Sequence, residues 1–199
     1  MQKNKVRMIK TINSKPQLPM KLPPKPKAGL YIDDSNLYNR GKVAGWMTDY
    51  KKLYKWVAKI NTIVYARIYK GRPRYEPAKS ISEAVERYFT KIGYTVTAKD
   101  LKKIKDSNSP SGFRNKCNFD VEMHDEIMND LHDLDIVYIA SGDSDFIRTK
   151  KNILKAQKRV KFIAYENNCA WEIKYGSWFV SLDSIKSEIE RATNLPTTL

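Results

Sequence analysis

Cysteine is scarce in this 199-residue chain: it has two, Cys117 and Cys169, far apart and without a second cysteine or a histidine set at zinc spacing. That excludes a disulfide scaffold and a zinc finger, and it fits a reducing compartment. Long apolar runs are also missing. The longest, residues 136–140 and 162–165, fall far short of the roughly 18 residues that a membrane span requires. The N-terminal stretch has no apolar leader segment either, so the expectation is a cytoplasmic protein with no membrane contact. Neither G-x-G-x-x-G nor G-x-x-x-x-G-K-[ST] occurs, which excludes the glycine-loop nucleotide sites.

Basic residues are what the chain has in excess. Lys+Arg number 37 against 22 Asp+Glu, a formal charge of +15, so an anionic partner is expected, either nucleic acid or an acidic lipid surface. Residues 1–27 hold eight of the basic side chains, five prolines and no acid. That composition predicts a disordered, extended arm whose prolines break any membrane-inserting helix. An electrostatic arm on nucleic acid and a plain solubilising leader both remain open for it. Residues 28–199 read as a single domain, and 41% hydrophobic residues over the chain supply a core without staples. Three further basic clusters stand out: Arg67, Lys70, Arg72 and Arg74; then Lys99, Lys102, Lys103, Lys105, Arg114 and Lys116 around a mobile-looking Ser/Asn/Pro/Gly loop at residues 106–112; then Arg148 to Lys161. A charge run is most often a solvated face, so position decides whether any of them binds.

Apolar periodicity predicts strands at residues 30–33, 62–69, 94–97, 135–140, 160–165 and 178–182. It predicts helices at 48–60, 80–92, 120–134, 146–157 and 185–192, with a helical turn at 170–175. Strand and helix in regular alternation mean an α/β three-layer sandwich, Rossmann-like, with a mostly parallel sheet and helices on both faces.

Ligands of such sheets bind beyond the carboxyl ends of the strands, where this sequence puts its unusual acids. Asp33 and Asp34 end the first strand, Asp143 and Asp145 follow the fourth, and Asp120 opens a helix after the long loop. Asp, Ser and Asn after a strand are also ordinary helix caps. One cap needs one acceptor, however, and these pairs supply more. Clustered carboxylates repel unless a cation neutralises them or one is protonated. An oxygen-only set suits a hard divalent ion, Mg²⁺ or Mn²⁺, that also binds phosphate.

These segments resemble the NYN domain, a branch of the PIN-like ribonuclease group, and most of all its LabA-like branch. Ile32-Asp-Asp-Ser-Asn36 is similar to the family's Ile-Asp-Gly-Ser/Asn-Asn opening, Lys116-Cys-Asn-Phe-Asp-Val121 to its Lys-Gly-Val-Asp-Val stretch, and Ser141 to Phe146 reproduces its Ser-Gly-Asp-Ser-Asp-Phe signature. The resemblance runs over about residues 29–183 and implies a metal-dependent ribonuclease, with Asp33, Asp120, Asp143 and Asp145 as metal-binding acids. Asn36 and Ser141 would be the polar residues orienting phosphate or metal water. Asp34 departs from the family's glycine, the second block is one residue longer, and Arg148 replaces a usual proline.

RNA is the implied partner, held by Arg72, Arg74, Lys102, Lys103, Arg114, Lys116 and Arg148. Tyr38, Trp46 or Tyr75 would stack on unpaired bases, while Trp56, Trp171 and Trp178 read as core. His124 and His132 read as surface or packing residues, and Cys117 as incidental. Two other readings compete: an RNA-binding adaptor on a nuclease fold, and a phosphatase- or TOPRIM-like use of Asp143-Ser-Asp145. A homo-oligomer is compatible with all of them.

Overall fold

The computed structural model describes residues 23–107, 112–167 and 169–192. Most of the basic arm, residues 1–22, and the loop centre, residues 108–111, lie outside the described residues. The element order is β1 (Lys27–Asp33), α1 (Asp34–Ala44), α2 (Tyr50–Ala58), β2 (Thr62–Arg72), α3 (Ala78–Lys91), β3 (Thr95–Asp100), β4 (Lys102–Lys105), β5 (Phe113–Lys116), α4 (Asp120–Asp130), β6 (Ile136–Ala140), α5 (Ile147–Lys155), β7 (Arg159–Ala164), α6 (Trp171–Lys174), β8 (Phe179–Ser181) and α7 (Lys186–Ile189).

Strand β1 is buried from residue 28 to 32, and β6 is buried throughout, the mark of strands covered on both faces. Side chains alternate between the two faces. Leu30, Ile32, Tyr138 and Ala140 pack under Leu37, Leu53, Val57 and Phe89 of α1, α2 and α3. Tyr31, Val137 and Ile139 pack against Met123, Ile127, Ile153 and Ile173 of α4, α5 and α6. The six strands run in the order β3-β2-β1-β6-β7-β8, and each neighbouring pair is parallel. This is the α/β sandwich that the alternation predicts. Chain order reverses between β1 and β6, which makes their carboxyl ends the switch point where ligands of such sheets bind.

Two elements are not legible in the periodicity. Helix α1 buries only Leu37 and Gly41, too few apolar positions for a pattern. Gly41 is there for space: a Cβ would meet Met47 Sδ, the Trp46 carbonyl and the Tyr165 hydroxyl, each at 2.9 Å. The residues on either side of positions 106–112 form an antiparallel hairpin, β4–β5, separate from the main sheet. Trp46 is buried, edge-on to Tyr165 with its Nε1 donating to Asp183, so it is not a stacking surface. Trp171, read as core, is 70% exposed.

A polar network fastens α4 to the sheet. Asp130, nearly buried, accepts the Tyr31 hydroxyl at 2.9 Å and two Arg67 bonds at 2.8 and 2.9 Å. One turn earlier, Glu126 accepts the Tyr69 hydroxyl at 2.9 Å and lies 3.3 Å from Arg67. Burial and the Asp130 carboxylate push the Tyr31 hydroxyl far above its ordinary pKa, so it remains a donor. Removing the acid takes away both short Arg67 bonds and the Tyr31 acceptor, leaving the partly buried guanidinium with Glu126 as its remaining ion-pair partner. Asp130→Ala should lower the unfolding free energy by about 3 kcal/mol, and Tyr31→Phe by about 1 kcal/mol, both read from urea midpoints.

Candidate active site

The site begins where β1 stops. Asp33 is extended at φ −79°, and its Oδ1 accepts the Asn36 amide at 3.1 Å and the Ser35 hydroxyl at 2.8 Å, capping α1. Its other oxygen, Oδ2, accepts the Ser141 hydroxyl at 3.3 Å. Ser141 follows β6, whose Ala140 is paired with Ile32 in the neighbouring strand, so the two carboxyl ends meet side by side. The Ser141 oxygen also accepts the Asp143 amide at 3.3 Å, and Asn36 Oδ1 accepts the Gly142 amide at 3.1 Å. Asp143 in turn caps the next turn, accepting the Asp145 amide at 3.1 Å. Asp33 and Asp143 thus both serve as caps, and Asp33 has a second oxygen turned to the β6 loop.

Asp120 comes from a third direction, in the first turn of α4, its amide donating to Asn118 Oδ1 at 3.0 Å. Burial raises its carboxyl above the ordinary value, and the charges of Asp145, Asp143 and Asp33 raise it further. Those charges reach Asp120 because α4 brings it toward the ends of β1 and β6. Asp33 is raised chiefly by burial, against the pull of its three hydrogen-bond donors. Asp34 turns away: its Oδ1 accepts the Tyr50 hydroxyl at 2.9 Å, and Lys70 is its nearby charge. Among the described residues no three acids, histidines or cysteines are drawn into a ready-made metal cluster. The donor set nevertheless fits a hard divalent cation in kind, being oxygen-only and self-repelling.

The basic candidates divide. On the hairpin, Lys102, Lys103, Arg114 and Lys116 are exposed, with Lys102 directly opposite Lys116. Arg114 lies 3.3 Å from Asp106, and Lys103 lies 4.5 Å from the Phe113 ring centre. The hairpin runs through Cys117 into Asp120. Arg148, exposed, lies in the first turn of α5, three residues after Asp145. The rest of its cluster leads away: Lys150 lies nearly buried 3.6 Å from the Trp178 ring centre, and Lys161 donates to the Ser177 carbonyl. Arg74 is 3.9 Å from Asp100. His124 Nδ1 is bonded to the Thr149 hydroxyl and His132 Nδ1 to the Asn129 carbonyl.

The sequence pattern of the NYN domain matches residues 27–182. Among curated proteins, the Low amplitude and bright protein LabA of Synechococcus elongatus is 24% identical over 168 residues, covering 83% of this chain and 88% of that one. Among solved structures, a protein of unknown function from Vibrio parahaemolyticus superposes with a TM-score of 0.66 at 18% identity, over 86% of this chain and 100% of that one. The latter likeness is one of fold. No helix among the described residues is long and apolar enough to cross a membrane.

Arg72 is tied down by Glu86, which it meets through both Nε, at 3.0 Å, and Nη2. Burial alone works to raise the Glu86 carboxyl, but Arg72 and the Ser82 hydroxyl outweigh it and hold it below 4.5. A depressed folded pKa means that the unfolded chain takes up the proton first. The stabilisation is therefore complete above about pH 4.5 and lost as pH falls through the folded value. Glu86→Gln should lower the urea midpoint at pH 7 and shrink the drop seen in the wild type on going to pH 3.

Proposed function

Because the chain belongs to the NYN domain family of PIN-like nuclease domains, we propose that it is a metal-dependent ribonuclease hydrolysing RNA phosphodiester bonds at the carboxyl ends of β1 and β6. The observation that supports this reading is the Ser141 hydroxyl tying Asp33 to the Asp143 amide at the strand-end switch point, with the charges of Asp33, Asp143 and Asp145 acting on Asp120 from α4. Asp33, Asp120 and Asp143, with Asp145 beside them, would hold Mg²⁺ or Mn²⁺. Bound there, the ion supplies an acidified water and neutralises charge on the phosphate.

The chain's own residues prepare the site. Ser141 donates to Asp33 and accepts from the Asp143 amide, so one hydroxyl sets the spacing of two acids on different strands. Asn36 is committed through Oδ1 to the Gly142 amide, which leaves its Nδ2 donor as the end suited to a phosphate oxygen. Tyr31, Arg67 and Tyr69 hold the far end of α4 through Asp130 and Glu126, and so fix the helix whose first residue is Asp120. Substrate affinity comes from Lys102, Lys103, Arg114 and Lys116 on the hairpin and from Arg148, which neutralise phosphates without choosing a sequence. Arg72 is the weaker contributor, since Glu86 already partners it.

The test is cleavage of a mixed-structure RNA at low salt. Cutting should need Mn²⁺ or Mg²⁺, stop in EDTA, and fall by about a hundredfold or more in Asp33→Asn, Asp120→Asn and Asp143→Asn. Tight binding with no cutting, unaltered by these variants, would leave an RNA-binding adaptor instead. Lys103→Ala combined with Arg114→Ala should weaken binding evenly across sequences and make the log–log salt slope shallower by about 0.7 for each phosphate left without its cation.

A further inference from the structure

The crossover from β7 to β8 carries two large aromatic rings that the fold does not use. Trp171 is 70% exposed and Tyr175 81%, while Ile173 between them is fully buried. Residues 171 and 175 stand one turn apart, the Tyr175 amide donating to the Trp171 carbonyl at 3.2 Å. Both therefore lie on the side of the turn opposite Ile173, toward solvent.

Their location is set by the active edge itself. The Ala170 amide donates to the Gly142 carbonyl at 3.0 Å, one residue before Trp171 and one residue before Asp143. A Cβ on Gly142 would meet Cys169 Cα at 3.3 Å, so the two loops are in direct backbone contact. The charges that Cys169 feels are those of Lys174 and Arg40. Lys174 shares its charge with Glu166, 4.0 Å away, and Arg40 lies one turn beyond Asn36 on α1. Exposed rings on a turn bonded to the Gly142 loop, one residue from Asp143, stand where an unpaired strand crossing the acids would pass.

We propose that Trp171 and Tyr175 form a stacking shelf for unpaired nucleobases, so that the strand crossing the carboxylates is single-stranded on the β7–β8 side. This rests on the ribonuclease reading for its substrate class and adds the state of the strand. A paired base keeps its faces inside the helix and offers nothing to the rings; an unpaired base presents both. Of the other exposed aromatics, Tyr38 and Phe113 have a ring face covered by Lys42 and Lys103, Tyr75 follows β2, which β1 separates from β6, and Tyr88 lies on α3.

The experiment separates bases from backbone and binding from cutting. The full chain, in EDTA, is titrated by fluorescence anisotropy with a labelled single-stranded oligouridylate and with an abasic chain of the same length. Wild type should prefer the base-bearing strand. Trp171→Ala and Tyr175→Ala should each cost about tenfold on that strand, erase the preference, and leave binding to the abasic chain and the unfolding midpoint unchanged. Trp171→Phe should keep most of the preference. Lys102→Ala with Lys116→Ala should weaken both ligands alike.

Wild-type binding in both alanine variants, or equal losses on the two ligands, overturns the shelf. So does a dimer that dissociates in Trp171→Ala, which would make the rings a contact between copies. A base preference that Trp171→Ala removes, in a protein that cuts no RNA with any metal, retains the shelf and discards the nuclease. Metal-dependent cutting with no base preference does the reverse.

Discussion

Two parallel strands cannot be joined by a tight turn, and that restriction shapes this molecule more than any single contact. Each strand of the six-stranded sheet must be followed by a segment that returns across a face before the next can begin. All carboxyl ends therefore lie along one edge, and the chain has to supply two apolar layers of helix to cover the returns. Because the order reverses between β1 and β6, the loops leaving these neighbours diverge to opposite faces. The gap between them is where polar groups can stand without disturbing the core. Asp33 and Ser141 meet there because Ile32 and Ala140 are register partners.

Burial raises the Asp33 and Asp120 carboxyls, and the structure answers with donors. The Ser35 and Ser141 hydroxyls and the Asn36 amide all point at Asp33, while backbone amides hold Ser141, Asn36 and Asp143. Asp120 has less support, since only Asn118 opposes its burial and the three neighbouring charges. Its helix is held instead from below, by the Tyr31, Arg67 and Tyr69 bonds to Asp130 and Glu126. Asp120 is thus carried by a helix whose far end is tied to the sheet by three side chains.

The strands and the strand-end acids are legible because they follow rules of period and position. Buried runs such as Ile136–Ala140 have no other reading beside helices of 3.6 spacing. Helix α1 escapes because the Asp34–Ala44 segment is mostly polar and is held by its Asp33 cap and the left-handed Gly45 at φ 74° rather than by an apolar face. The β4–β5 hairpin escapes because Lys-Lys-Ile-Lys and Phe-Arg-Asn-Lys show no alternation, both strands being largely exposed. The tryptophans depart from their sequence reading in both directions. Trp46 lies in a loop but is enclosed by Tyr165 and Asp183, whereas Trp171 sits in an element whose one buried position is Ile173. An aromatic side chain carries no mark of its own orientation; only the backbone around it decides.

The hairpin shares no hydrogen-bonded ladder with the six strands. It is entered from β3 through Leu101, whose amide donates to the Arg72 carbonyl at 2.8 Å, and it leaves through Cys117 toward α4. The charge of its two strands is consequently a free variable: Lys102, Lys103, Arg114 and Lys116 can be replaced without shifting the register of any core strand. The tool that grips and the block that cuts are thereby separable inheritances within one chain, each open to revision while the other is kept.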